Sequence, residues 1–286
     1  MRCIIYVFSG TGNTMLVAEE YAASLGPETQ IAVIDSSFRS LPSSDGYQLV
    51  GIGYPVHAFN TPEIVERFAR ELKPSVHQNL FIFHTGGEGL HFNDTSSVRL
   101  RRIFRKDFTI LSERHYAMPY NMIFRHSDAM VKHMVTYMRE LVPLHVSSLL
   151  AERVESAKFM PLCRIVSSVL RIEWLYAKLQ GPAMRAGKDC TGCGLCARRC
   201  PMGNITMENG RPEFGRNCSL CVRCSFSCPE DAISLGLLNG WRVNGPYEFD
   251  RIMADRTIPD TMPIEKLPRL YRKYYREADA MLRKES

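Results

Sequence analysis

The chain has no apolar run long enough to cross a bilayer. Its most apolar segment, Met160–Leu179, is interrupted by Arg164, Arg171, Glu173 and Lys178. The apolar start, Cys3–Phe8, is too short for the core of a secretory signal and runs directly into Ser9-Gly10-Thr11-Gly12. A reducing, cytoplasmic setting is therefore expected, which excludes a disulfide framework. No Gly-Lys-Ser/Thr follows a glycine-rich loop, so there is no Walker site, and no G-x-G-x-x-G marks a dinucleotide. Direct use of NADH or NADPH is thus not expected. Neither a Ser-His-Asp set nor a carboxylate pair can be assembled, and no catalytic residue is assigned. The histidines at 77, 84, 91, 115, 126, 133 and 145 lack metal-ligand spacing and read as structural or exposed. Nucleic acid is excluded as a partner, because no recognition module or aromatic-interleaved basic stretch occurs.

What is present suits two modest domains. The chain has 286 residues, 45% hydrophobic and 23% charged, with a net charge of +6. Thirteen Lys/Arg against six Asp/Glu between Arg99 and Arg171 give that stretch +7. It reads either as solvated helix face or as a dock for an acidic partner, with Arg101, Arg102 and Arg105 as the docking charges to test.

Eight of the ten cysteines fall into two runs, Cys190, Cys193, Cys196, Cys200 and Cys218, Cys221, Cys224, Cys228. Each run is C-x2-C-x2-C-x3-C-P, and each has an isoleucine five residues on, Ile205 and Ile233. The duplication and the spacing suit two [4Fe-4S] clusters. Three thiolates on one tight loop take three corners of a cube, and the fourth comes from the other run. One set is then Cys190, Cys193, Cys196 and Cys228; the other is Cys218, Cys221, Cys224 and Cys200. Structural zinc would leave the third cysteine and the proline of each run without a use. The remaining Cys3 and Cys163 read as small buried hydrophobes. Residues 190–233 resemble bacterial two-cluster ferredoxins, with every ligand position filled.

In the first half, β-branched and aromatic runs alternate with amphipathic stretches. Strands are expected at Cys3–Phe8, Gln30–Ile34, Tyr47–Gly53, Leu80–His84 and Phe108–Met118. Helices are expected at Met15–Leu25, Pro62–Leu72 (capped by Thr61), Asp94–Phe104 and Val131–Glu152, the last kinked at Pro143. Such alternation implies a parallel α/β sheet with helices on both faces. In a doubly wound sheet of the flavodoxin order 2-1-3-4-5, the order expected here, ligands sit beyond the strand ends at the switch point. Three loops emerge there. Ser9-Gly10-Thr11-Gly12-Asn13-Thr14 opens a helix and suits a phosphate held by neutral donors. Tyr54-Pro55-Val56-His57-Ala58 and Thr85-Gly86-Gly87 suit a flat ring, with Tyr54, His57 or Phe59 as stacking partner. Glu88 reads as a solvated loop carboxylate, and the methionines at 118, 122, 130, 134 and 138 as core.

These loops in order resemble the flavodoxin phosphate and isoalloxazine loops. With the cysteine runs, the chain resembles flavodoxin–ferredoxin fusions, iron–sulfur flavoproteins found mostly in anaerobes. The resemblance implies FMN as a further cofactor. Expected boundaries are 1–156 for the flavodoxin-like domain, 157–185 for an amphipathic linker and 186–240 for a small α+β ferredoxin-like domain. A helical extension follows over 241–286, with Leu267, Leu270, Tyr274 and Met281 on its inner face. The expected function is electron transfer, with flavin converting between one- and two-electron carriers and a ferredoxin or flavodoxin as partner. A flavin-dependent reductase of a quinone, disulfide or enoate, and a non-catalytic redox sensor, are the alternatives.

Overall fold

The computed structural model describes residues 1–89, 92–154, 173–243 and 245–285. Strands β1 (Cys3–Val7), β2 (Thr29–Val33), β3 (Leu49–Pro55), β4 (Gln78–Gly86) and β5 (Phe108–Ala117) form one parallel sheet ordered β2-β1-β3-β4-β5. That is the flavodoxin-like order, with its switch point between β1 and β3. Every residue of β1 is buried, so both faces are covered. Alternate residues divide the core. Ile5, Val7 and Phe83 pack with α1 (Asn13–Leu25) and α4 (Asp128–Leu150). Ile4, Tyr6 and Ile52 pack with α2 (Glu63–Glu71) and α3 (Val98–Phe104).

Several local expectations shift. Helix α2 begins at Glu63, because the Pro62 carbonyl accepts the first amides, from Val65 and Glu66. The Thr61 hydroxyl instead donates to the Ser96 carbonyl at 2.7 Å. The stretch expected as a helix from Asp94 is a short turn, Phe92–Thr95, before α3. Helix α4 starts at Asp128, capped by Ser127, and continues through Pro143 as one element. Met118, Met130, Met134 and Met138 are core, and Cys3 is buried, but Met122 is only partly buried. Cys163 and His91 lie outside the described residues, as do the linker residues before α5 (Glu173–Gln180).

Among the described residues, part of the basic stretch is engaged within the fold. Arg101 donates to buried Glu113 at 2.8 Å, Arg99 pairs with Glu66, and buried Lys132 pairs with Asp260. Arg102 and Arg105 are exposed, but Arg101 is a structural partner and not a free docking charge.

The second module shows its duplication in space. Each cysteine run leads into a one-turn helix, α6 (Leu195–Arg198) and α7 (Arg223–Phe226). Ile205 opens β7 (Ile205–Glu208), paired with β8 (Arg211–Phe214). Ile233 opens β9 (Ile233–Ser234), paired with β6 (Arg185–Ala186). After α8 (Phe249–Ala254), α9 (Arg269–Glu285) folds back onto the sheet module. Its buried line is Tyr271, Tyr275 and Ala278, spaced i, i+4 and i+7. Leu267 is buried but precedes the helix, and Met281 is 40% exposed, so the expected stripe is displaced around the helix.

Candidate cofactor-binding sites

A cavity of about 350 Å³ opens beyond the carboxyl ends of β1, β3 and β4. Its floor is Ser9, Gly10, Thr11, Asn13 and Thr14 with Pro55, Val56, His57, Ala58, Thr85, Gly86 and Gly87. The far wall was not anticipated. It comprises residues 119–123, Tyr176, Leu220, Cys221, Leu238 and Trp241.

The phosphate-type loop is tied down by its own side chains. Asn13 Nδ2 donates to the Pro119 carbonyl at 2.7 Å, and Asn121 Nδ2 donates to Thr11 Oγ1 at 2.9 Å. The Thr14 and Thr85 hydroxyls bond at 2.8 Å, joining the first loop to the third. Ser9 Oγ accepts from the Met15 amide at 3.3 Å. What remains available to an anion is the hydroxyl protons of Thr11 and Ser9 and the Asn13 and Thr14 amides at the start of α1. Gly12 is not on the cavity wall. It holds φ at 108°, the left-handed turn that starts the helix.

Two of the three stacking candidates face elsewhere. Tyr54 is fully buried, its ring stacked on His84 and its hydroxyl 3.0 Å from Ser96 Oγ. Phe59 packs on Phe92 at 5.8 Å. His57 alone of the three lines the cavity. It sits in a tight turn closed by reciprocal His57–Asn60 amide bonds, with Ala58 and Phe59 both at positive φ. Desolvation draws its pKa down to about 4, against a hydrogen bond to the Ser219 backbone, so the ring is neutral. Tyr120, Tyr176 and Trp241 are further aromatics of the wall. Glu88 is buried, not solvated, and accepts from the Asn93 amide at 2.8 Å. The C-terminal helix braces the site, with Tyr271 Oη donating to the Gly87 carbonyl at 2.5 Å.

The thiols gather in two sets of four. One small cavity is walled by Cys190, Cys193, Cys196 and Cys228. A second is walled by Cys200, Cys218, Cys221 and Cys224. Burial pushes the Cys218 thiol up to about 12 and raises Cys196, Cys221 and Cys224 as well. Such sulfurs become thiolates when a strongly cationic centre displaces the proton. Among the described residues, no three His, Cys, Asp or Glu converge as closely as a single metal ion requires.

The second set abuts the sheet module. Cys221 and Leu220 wall both the thiol cavity and the larger one. Gly10 faces the Cys221 backbone so closely that a Cβ there would stand 2.8 Å from the Cys221 carbonyl oxygen. Arg223 Nε donates to the Gly10 carbonyl at 2.6 Å, and its Nη2 donates to the Ser9 carbonyl. The Ser36 amide donates to the Pro201 carbonyl at 2.7 Å. The first set lies away from this seam, with Cys193 exposed.

Residues 189–238 match the 4Fe-4S dicluster domain family. No curated protein matches the chain. Solved structures similar to it include the two-electron-reduced flavodoxin of Megasphaera elsdenii, 20% identical, covering 40% of this chain and 84% of that one, TM-score 0.31. A flavoprotein in complex with FMN from Lactobacillus acidophilus is 12% identical, covering 40% and 92%, TM-score 0.32. The rubredoxin oxygen:oxidoreductase of Desulfovibrio gigas is 15% identical, covering 52% and 37%, TM-score 0.31. The strand order fixes the class of the first module. Among the described residues no helix is long and apolar enough to cross a membrane. By its sheet and its matched cysteine segment, the chain is a fusion of a flavodoxin-like domain with a 4Fe-4S dicluster domain.

Proposed function

We propose that the chain passes electrons between two [4Fe-4S] clusters and FMN, with the clusters held by the two thiol sets and FMN by the sheet-end cavity. The observation that carries this is Cys221, which belongs to the walls of both the second thiol cavity and the larger cavity. A cluster ligand that also lines the flavin pocket would set the two cofactors on either side of one residue. FMN, when bound, would supply the conversion between single-electron carriers and a two-electron donor or acceptor.

The residues present suit that group. The Asn13 and Thr14 amides and the hydroxyls of Thr11 and Ser9 would hold the phosphate. Pro55, Val56, His57 and Ala58 with Leu220 offer the ring a largely apolar bed. His57 is uncharged there, so it orients by hydrogen bonding and packing, not by ionic attraction. The thiols would bind in the crossed pattern, each run giving its fourth cysteine to the other cluster. The Cys190 set, with exposed Cys193, would face a separate redox protein, and the Cys218 set would face the flavin.

The test is anaerobic purification with iron, sulfide and flavin assays, followed by stopped-flow reduction. About eight iron and one FMN per chain are expected. A reduced ferredoxin or flavodoxin should reduce the protein faster than NADH or NADPH. Zinc in place of iron, FAD in place of FMN, or a nicotinamide that outruns every protein donor would overturn the reading. A second reading, a flavin-dependent reductase of a small molecule, is favoured by the aromatic lining of Tyr120, Tyr176 and Trp241, against which an aromatic or apolar acceptor could pack. Turnover with quinones, disulfides or enoates would favour it over the carrier.

A further inference from the structure

The C-terminal extension reaches the cavity loops through two tyrosines. Tyr247 Oη donates to the Tyr120 carbonyl at 2.7 Å and accepts from the His126 amide at 3.0 Å. Tyr271 Oη, on α9, donates to the Gly87 carbonyl at 2.5 Å and lies 2.9 Å from His126 Nε2. His126 Nδ1 accepts from the Tyr120 amide at 3.2 Å. Tyr120 and Gly87 both line the cavity, and His126 and Tyr271 are buried behind them.

The groups at the ends of this chain fix the direction of each bond. A backbone amide only donates, so His126 Nδ1 presents its lone pair to Tyr120. Burial draws the His126 pKa down to about 4, so near neutral pH the ring carries its one hydrogen on Nε2. A carbonyl only accepts, so the Tyr271 proton goes to Gly87 and the Tyr271 oxygen accepts from His126 Nε2. The chain runs one way, from the Tyr120 amide through His126 and Tyr271 to the Gly87 carbonyl. Close approaches at two glycines agree with it. A Cβ on Gly87 would stand 2.5 Å from Tyr120 Cε1, and one on Gly89 would stand 2.9 Å from the Leu270 carbonyl oxygen and 3.2 Å from Tyr271 Cα. The loop after β4 therefore admits Tyr120 and the backbone of α9 at distances a side chain would forbid. Gly86-Gly87 has no side chain to hold its own peptide planes, so a bond from outside the loop sets where the Gly87 carbonyl points.

We propose that Tyr271, oriented by His126, is a positioning residue of the flavin site: it fixes the Gly87 carbonyl and ties the ring loop to the Tyr120 wall, which makes the C-terminal extension part of the cofactor-binding unit. The positioning role rests on the FMN reading; the bond chain does not.

The test compares Tyr271→Phe with Tyr274→Phe at equal iron content. Tyr274 is on the same helix, and its Oη lies 3.3 Å from the Ala117 amide and 3.2 Å from the His115 carbonyl, on residues that do not line the cavity. A general loosening of α9 would affect both variants alike. Tyr271→Phe should weaken FMN and riboflavin equally, by roughly threefold to tenfold, the order of effect of one neutral hydrogen bond. It should also alter the visible circular dichroism of the bound flavin at saturation. Tyr274→Phe should do neither. Unchanged flavin affinity in Tyr271→Phe, or an equal loss in Tyr274→Phe, would overturn the positioning role. Long-range proton–nitrogen correlation on oxidised holoprotein labelled with ¹⁵N-histidine tests the chain itself at pH 7. His126 should carry its hydrogen on Nε2 with Nδ1 bare; a hydrogen on Nδ1 would overturn the chain and the proposal with it. Should the wild type bind neither flavin, the cofactor reading falls and takes the positioning role with it. Should the wild type bind FMN and Tyr271→Phe bind it as tightly, the positioning role alone falls.

Discussion

Replacing Gly10 by alanine isolates the seam between the modules. The substitution adds one methyl group and asks for no unusual backbone angle. Its Cβ would stand 2.8 Å from the Cys221 carbonyl oxygen and 3.1 Å from Cys221 Cβ, and no flexible side-chain end is there to yield. Overpacking of this kind costs about 1–3 kcal/mol. The simplest relief is for the Cys218–Cys224 loop to lift from the cavity, stretching the Arg223 bonds to Ser9 and Gly10. A cost of that size lowers the docking equilibrium constant roughly tenfold to a hundredfold. Gly12→Ala is the control: its methyl meets nothing within 4 Å, although the φ of 108° strains it. The assay is rapid chemical reduction of the clusters with flavin bleaching followed by absorbance, alongside FMN titration and iron analysis. Gly10→Ala should keep its iron, bind FMN more weakly and show slowed bleaching; Gly12→Ala should lose FMN affinity without slowed transfer in the FMN-saturated protein. Full FMN affinity and wild-type bleaching in Gly10→Ala would refute the role given to the Cys221 contact.

Cys200→Ala should damage the cluster of Cys218, Cys221 and Cys224, and Cys196→Ala the other, so their electron paramagnetic resonance spectra should lack different centres; loss of the same centre in both would defeat the crossed pattern. Thr11→Val should weaken FMN by about 1.5–3 kcal/mol and riboflavin far less, since the hydroxyl is aimed at a charged phosphate; equal weakening in titrations would move the phosphate elsewhere. Arg101→Met should cost roughly 3 kcal/mol in urea unfolding, because it strips a partner from buried Glu113, whereas exposed Arg102→Glu should change little. Burial draws His126 and His133 down to about 4 from 6.5, so the unfolded chain takes up protons first as pH falls. Stability should therefore be fully retained above about pH 6.5 and decline from there toward pH 4, and a flat profile of urea midpoints between pH 7 and 5 would contradict the assignment.

The sheet and the cysteine runs were legible because both are local patterns. Strand character and C-x2-C spacing repeat within a few residues, and the duplication checks itself through Ile205 and Ile233. Tyr54 was misplaced even though its strand held the signal. Val50, Ile52 and Tyr54 share one parity on β3, and the first two are plainly core. The far wall had no such signal. Asn121 reaches Thr11 across 110 residues, and neither Tyr176 nor Trp241 belongs to a periodic pattern. The charge run misled for a related reason. Arg101 looked like surface because its carboxylate lies on a neighbouring strand, and only the fold brings Glu113 beside it.

The two glycines of the first loop illustrate why the modules belong to one chain. Gly12 answers a local demand, the left-handed turn into α1. Gly10 answers a distant one, since a Cβ there would strike the carbonyl oxygen and Cβ of Cys221. A loop that served phosphate alone would tolerate alanine at that position; this one leaves space for a cysteine more than two hundred residues away. The same economy explains why the second cysteine run, and not the first, meets the sheet. Arg223 sits between two of its cysteines and reaches both loop carbonyls, whereas the matching position of the first run is Leu195. Arg223 is one of the positions at which the two runs differ, and its bonds to Ser9 and Gly10 tie the second thiol set, not the first, against the cavity.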